Sequence, residues 1–258
     1  MADRTLGSMV MEETGSGPPV VMIHGLGGTS NSFQTLMEAL EGCRVLRPDL
    51  PGAGRSAIRP GYVGLKGLAM AVREGLQATG IRRAHFVGHS MGSLICQYLA
   101  AEEPGLVGAM TLFGAIFEPA AATRQMLKER AQAVRTHGMA GVADIVSTGS
   151  VGPGSRAINP VTEAFVRESL LRQNPGDYAI HCEMLSAATA ANHSAISCPT
   201  LLVAGEQDPV APVDMARRLQ EAIEGARLEV IGGISHWIMI EDPAQSAKLL
   251  SDHIKQTS

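Results

Sequence analysis

Six short apolar runs, each bounded by glycine or polar residues, recur along the chain with helix-length segments between them, and that rhythm excludes most architectures. The runs are "VVMIHG" (20–25), "RVLRPDL" (44–50), "AHFVGHS" (84–90), "GAMTLFGA" (108–115), "PTLLVAG" (199–205) and "ARLEVIGG" (226–233). Several are almost continuously apolar, as strands buried on both faces are. Between them, "SNSFQTLMEALEG", "MGSLICQYLAAEEPG" and "PVDMARRLQEAIEG" have helical spacing. Alternating strands and helices predict an α/β fold: a mostly parallel sheet, helices on both faces, right-handed crossovers. "GSMVMEET" (7–14) is expected to add an antiparallel strand at the start. With 258 residues, 45% hydrophobic and 18% charged, the chain can bury the large core of a single such domain.

Residues 116–194 break the rhythm and read as helices. The expected division is a core of 1–115 and 195–258, with 116–194 as a helical lid, or cap, inserted after the sixth strand. "AATRQMLKERAQAVRTHG" reads as a helix ending at Gly138. Asn159 followed by Pro160 reads as an N-cap with proline at the first helical position, opening "VTEAFVRESLLRQ". "GDYAIHCEMLSAATAA" is a further helix, and the glycine- and serine-rich "STGSVGPGSRAINP" (147–160) reads as a mobile loop. Such an insertion would lie over the carboxyl edge of the sheet, where open α/β sheets bind ligands.

In "HFVGHSMGSLI" (85–95) a strand pattern enters Gly-x-Ser-x-Gly and a helical pattern leaves it. Roughly one chain in ten of this length carries that motif by chance, so Ser90 alone decides nothing. A serine nucleophile needs a base, an acid to orient the base, and donors for the oxyanion. "LLVAGEQDPV" presents Asp208 after a buried strand, and "EVIGGISHWIMIEDP" presents His236 after the last one. The order Ser90, Asp208, His236 is that of a strand-turn-helix hydrolase triad. The oxyanion donors are expected at the backbone N–H of Met91, just after the nucleophile, and of Leu26 in "HGLGGTS" (24–30). Gly25, Gly27 and Gly28 let that loop approach a substrate, and Gly88 and Gly92 keep the corner around Ser90 uncrowded.

Plainer readings exist for each part. Ser90 could be an ordinary turn serine, His236 a structural histidine, and Asp208 a turn residue before Pro209, with Glu118 a substitute acid. His24 and His89 flank the site as positioning or packing groups, and Asp49 in "DLPGAGRS" fixes a loop.

Other chemistries are excluded more directly. Neither "GLGGTS" nor "PGAGRS" completes a dinucleotide fingerprint, and there is no phosphate-loop lysine. A net charge of −4, a pI near 6.1 and no Lys/Arg run argue against nucleic acid. Cys43, Cys96, Cys182 and Cys198 have no metal-like spacing, so no metal site is expected and reduced thiols are. No apolar leader core or 18-residue apolar run is present, which predicts a cytoplasmic protein without a membrane partner. Nothing in the sequence sets the oligomeric state.

With these residues in view, "VVMIHGLGG", "RPDLPGAGRS", "VGHSMGS", "LLVAGEQDPV" and "SHWIMIEDP" together make the chain resemble the α/β-hydrolase family over essentially its full length. Within it, "ERAQAVRTHGMAGVAD" and "NPGDYAIHCEML" look most like the 3-oxoadipate enol-lactonases and related esterases and ring-cleavage-product hydrolases of aromatic degradation. The resemblance implies a serine hydrolase without cofactor. It would cleave the ester or lactone bond of a small carboxylated substrate through an acyl-enzyme. The rival reactions are C–C or amide cleavage of a ring-cleavage-type acid, and the rival class is a ligand sensor that kept the pocket. Haloalkane dehalogenases and epoxide hydrolases carry aspartate where Ser90 stands. The enol-lactonases have Arg-Trp-Phe after the equivalent of "GMAGVAD"; this chain has "IVSTGSVGPG", and Trp237 is its only tryptophan. The expected pocket residues are His24, Gly25, Leu26, Met91, Trp237, Met126 and Met184. A carboxylated substrate would want a cation, and Arg124, Lys128, Arg130 and Arg135 lie on the first lid helix, where each reads more readily as part of a solvated face.

Overall fold

Every residue of Ala84–His89 and of Thr200–Gly205 is buried, so helices must cover both faces of the sheet that holds them. The computed structural model, which describes residues 2–6 and 9–257, has eight strands. They are β1 (Ala2–Leu6), β2 (Met9–Thr14), β3 (Pro19–Ile23), β4 (Arg44–Pro48), β5 (Ala84–His89), β6 (Val107–Phe113), β7 (Thr200–Gly205) and β8 (Arg227–Ile231). Their order is β1-β2-β4-β3-β5-β6-β7-β8. β2 runs antiparallel to β1 and to β4, and all other pairs are parallel. The chain moves outward from β3 to β4, then returns to place β5 on the other side of β3. That reversal opens a crevice at the carboxyl ends of β3 and β5, where Ile23 pairs with Gly88.

The helices are α1 (Gly64–Ala78), α2 (Met91–Glu102), α3 (Ala121–His137), α4 (Ala140–Ser150), α5 (Pro153–Ile158), α6 (Val161–Leu171), α7 (Pro175–Ser186), α8 (Val213–Ala222), α9 (Ile238–Glu241) and α10 (Pro243–Thr257). α1 packs on α2, α2 on β5 and β6, and α10 on β6. The five helices α3–α7 form the insertion between β6 and β7, and within it α3 lies along α7. No described helix is long and apolar enough to cross a membrane.

The runs quoted above fall on β2 to β8, within a residue or two at most ends. Gly7 and Ser8, which open the expected N-terminal strand, lie outside the described residues. β1 was not expected: "ADRTL" has no apolar alternation, and its Asp3, Arg4 and Thr5 are exposed on the sheet's edge. Counting it, the insertion follows the sixth strand.

Two segments depart from expectation. "SNSFQTLMEALEG" forms 3-10 turns at Ser30–Leu36 and Glu38–Leu40 rather than an α-helix. Its start is clamped from outside, because Ser30 N–H donates to Asp49 and Arg47 donates to the Ser30 carbonyl. Residues 147–160 are not a mobile loop. Ser147–Ser150 complete α4 and Pro153–Ile158 form α5, with Pro153 in the first turn. Tertiary bonds override the glycine content: Glu241 accepts from Gly152 N–H and Ser155 Oγ at 2.9 and 2.7 Å. Gly138, at φ +74°, ends α3 as expected; at the entry to α6 Asn159 Oδ1 accepts from Val161 N–H, but Pro160 itself is the cap and Val161, not Pro160, is the first helical residue.

Candidate active site

Ser90 stands at the corner between β5 and α2 with φ +52° and ψ −118°, the only non-glycine residue at positive φ among those described. Such a conformation costs about 1–3 kcal/mol and persists only where its surroundings hold it. Here Ser90 N–H donates to the Phe113 carbonyl, and the Ser90 carbonyl accepts from Ser93 N–H and Ser93 Oγ. Strand and helix then approach so closely that a methyl group on Gly88 would lie 2.8 Å from the Gly92 carbonyl oxygen.

The loop after β7 carries Asp208 and the loop after β8 carries His236, and the sheet brings both to Ser90. Ser90 Oγ lies 2.9 Å from His236 Nε2, and His236 Nδ1 lies 2.8 Å from Asp208 Oδ2. Asp208 Oδ1 accepts from the N–H groups of Val210 and Ala211. Burial pushes the Asp208 carboxyl up, but His236 and these two N–H groups outweigh it and hold the group below the usual carboxylate range. An ionised Asp208 requires the proton of His236 on Nδ1, which leaves the Nε2 lone pair to accept from Ser90 Oγ–H. Glu118, the alternative acid, pairs instead with Arg124.

The other face of the crevice is the loop after β3. Among the described residues, no acceptor takes the N–H of Leu26 or of Met91. Met91 N–H begins α2, where the helix dipole favours negative charge. His24 fixes this loop: its Nδ1 donates to the Gly25 carbonyl and its Nε2 accepts from Leu50 N–H. Burial lowers the His24 pKa, which keeps the ring neutral, as that pair of bonds requires. Asp49 accepts from Ser30 N–H and from Arg55, and buried Arg47 pairs with Glu12 at 2.7 Å. His89 donates from Nε2 to the His236 carbonyl, and burial lowers its pKa to about 3.

Ser90 and His236 open into a cavity of about 350 Å³ walled by the insertion. Leu26, Met126 and Trp237 line it as expected pocket residues, with Ile116, Ile145 and Leu185 completing much of an apolar wall. The expectation for His24, Gly25 and Met184 is corrected, since none of them lines the cavity. His24 is wholly buried beneath the loop, Gly25 lies against Ser90 Cβ, and Met184 packs on the core beside Leu185, which takes the place expected of it. The Met91 side chain is likewise buried.

Sequence reasoning missed Glu241. Its carboxylate also accepts from Ser235 N–H and Trp237 N–H, on either side of His236. Since Gly152 and Ser155 share that carboxylate, it ties the insertion to the histidine loop. Ser150 adds two bonds, its carbonyl accepting from His236 N–H and its Oγ from Trp237 Nε1. The signal was faint: an acidic residue four positions after Trp237.

The reversed strand order and the strained strand-turn-helix corner define the hydrolases built on open α/β sheets. A family model described as alpha/beta hydrolase fold matches residues 18–243, and the chain belongs to that family. It is 29% identical over 246 residues to 3-oxoadipate enol-lactonase 1 of Acinetobacter baylyi, covering 92% of this chain and 89% of that one. It is 24% identical over 249 residues to (E)-2-((N-methylformamido)methylene)succinate hydrolase of the same organism, covering 95% and 93%. Among solved structures, the enol-lactonase from Burkholderia xenovorans LB400 is similar with a TM-score of 0.91 and 26% identity, over 98% of this chain and all of that one.

Proposed function

We propose that this hydrolase cleaves the ester or lactone bond of a small carboxylated substrate through a serine acyl-enzyme. The observation that carries the reading is the chain of contacts from Ser90 Oγ to His236 to Asp208, at 2.9 and 2.8 Å, opening on a largely apolar cavity. The enol-lactonase likeness supports the choice of bond.

Ser90 Oγ attacks the carbonyl carbon as its proton passes to His236 Nε2. The N–H groups of Leu26 and Met91 receive the oxyanion. The C–O bond to the leaving oxygen breaks, and that oxygen takes the proton from His236. Water then attacks the acyl-enzyme, gives its proton to His236 and frees Ser90. Asp208 holds the tautomer and stabilises the imidazolium throughout.

Ser90→Ala is expected to lower kcat on a simple ester by about 10⁴- to 10⁶-fold. Wild-type protein should also take one fluorophosphonate label at Ser90, read by mass spectrometry. Near-normal turnover in the variant would remove the nucleophile from the scheme. Parallel assays on an enol-lactone, a dienoate and a small amide separate this reading from C–C or amide cleavage.

A further inference from the structure

The basic residues of α3 part company in what they face. Arg124 donates to the Ser186 carbonyl and reaches Glu118, Arg135 pairs with Glu183, and Lys128 is exposed. Arg130 alone lines the cavity that holds Ser90 and His236. Among the described residues it has no carboxylate partner, and its Nη2 rests 3.0 Å from Met126 Sδ. Tyr178 of α7 lines the same cavity, with its hydroxyl buried.

Among the described residues no aspartate or glutamate lines the cavity, and burial keeps His89 neutral. Arg130 is therefore the one permanently charged side chain among the described residues of an otherwise largely apolar wall. A half-desolvated guanidinium without a counterion is costly, and a bound anion relieves that cost. Its planar fork matches a carboxylate through two parallel hydrogen bonds. A single cation suits a carboxylate monoanion better than a phosphate dianion, which asks for more positive charge.

We propose that Arg130 binds a free carboxylate of the substrate, so that the chain selects small esters or lactones that carry an ionised acid group away from the bond cleaved. This rests on the hydrolase reading above, and it names the group that the insertion recognises.

The test compares ethyl hydrogen adipate with its neutral isostere, ethyl 6-methylheptanoate. The kcat/KM ratio of acid to neutral ester should favour the acid in the wild type. In Arg130→Met that ratio should fall about 10- to 100-fold, mainly through KM, because charged hydrogen bonds are lost. Arg130→Lys should recover part of the ratio, which a purely structural role would not produce. A ratio unchanged in Arg130→Met, or a wild type that prefers the neutral ester, overturns the proposal. Calorimetric binding of ethyl hydrogen adipate to the Ser90→Ala protein, with and without Arg130→Met, gives a readout free of turnover. Weaker binding in the double variant supports the subsite even if no ester is hydrolysed, in which case the ester reading alone fails. Equal binding overturns the subsite whatever the turnover. If Arg130→Met does not fold, Arg130→Gln takes its place in both arms.

Discussion

A methyl group on Gly92 would sit 2.1 Å from the Ile23 carbonyl oxygen, a contact with backbone that no side-chain rotation can relieve. Gly92→Ala must therefore push α2 away from β3, the two elements that carry Met91 and lead to Leu26. The variant is expected to lose about 3 kcal/mol of stability, as overpacked cores do, and to lose ester turnover under conditions where it remains folded. Urea denaturation alongside the rate checks this, and an unchanged midpoint would refute it. At this scale the sequence was informative wherever chemistry fixes a residue type. Ser90, Asp208 and His236 could be singled out because strand ends, turn residues and chain order agree on them. It was uninformative about helix rotation. Met184 and Leu185 are neighbours on α7, yet only Leu185 reaches the cavity. Arg130 looked like any other cation of α3 for the same reason: which face of a lid helix points inward depends on its partner, here α7, and not on its own composition.

Elements were legible where the pattern is strong, in the continuously buried runs of β5 and β7 and in the amphipathic α8. They were hidden where distant side chains hold the backbone. The stretch 147–160 has the glycine and serine content of a loop, but one carboxylate converts it to ordered structure. Glu241 accepts from Gly152, Ser155, Ser235 and Trp237, and so joins the hinge between α4 and α5 to the loop of His236. Glu241→Ala leaves those four donors without their acceptor. It is expected to cost about 2 kcal/mol, the scale of a hydrogen bond to a charged group. Cleavage by a protease near residues 148–155 should quicken, and kcat should fall more than KM changes, since His236 loses its outer support. Limited proteolysis with peptide mapping tests the first effect. Cleavage no faster than in the wild type would mean that the hinge is held by Ser150 and Trp237 alone.

Across the whole molecule, strand alternation made a mostly parallel sheet with helices on both faces readable in advance, because a buried parallel sheet permits few alternatives, while the strand order was not readable. The burial of so many histidines was not readable, since each depends on what packs over it. His85 and His253 contact the same Thr111 hydroxyl at 2.9 and 3.0 Å between β5, β6 and α10, and His181 contacts the Pro51 carbonyl. Burial pushes His85 and His89 down to about 3, and His181 and His253 to about 4. In the unfolded chain these rings titrate near the ordinary value of about 6.5. Between those limits the unfolded state binds more protons than the folded one, so stability falls as pH falls. Their contribution is whole above about pH 6.5 and is lost progressively toward pH 4, at up to about 1.4 kcal/mol per pH unit for each ring. Asp49 and Asp208, held below the usual range, add their own loss only at still lower pH. Urea midpoints should therefore be level above pH 7 and drop steeply between pH 6.5 and 5. His253→Gln should lower stability at pH 7.5 yet flatten that slope, because one proton-binding difference disappears. If instead the wild-type midpoint holds constant down to pH 5, the histidines are reached by solvent in the folded state and the core between β6 and α10 is looser than its packing indicates.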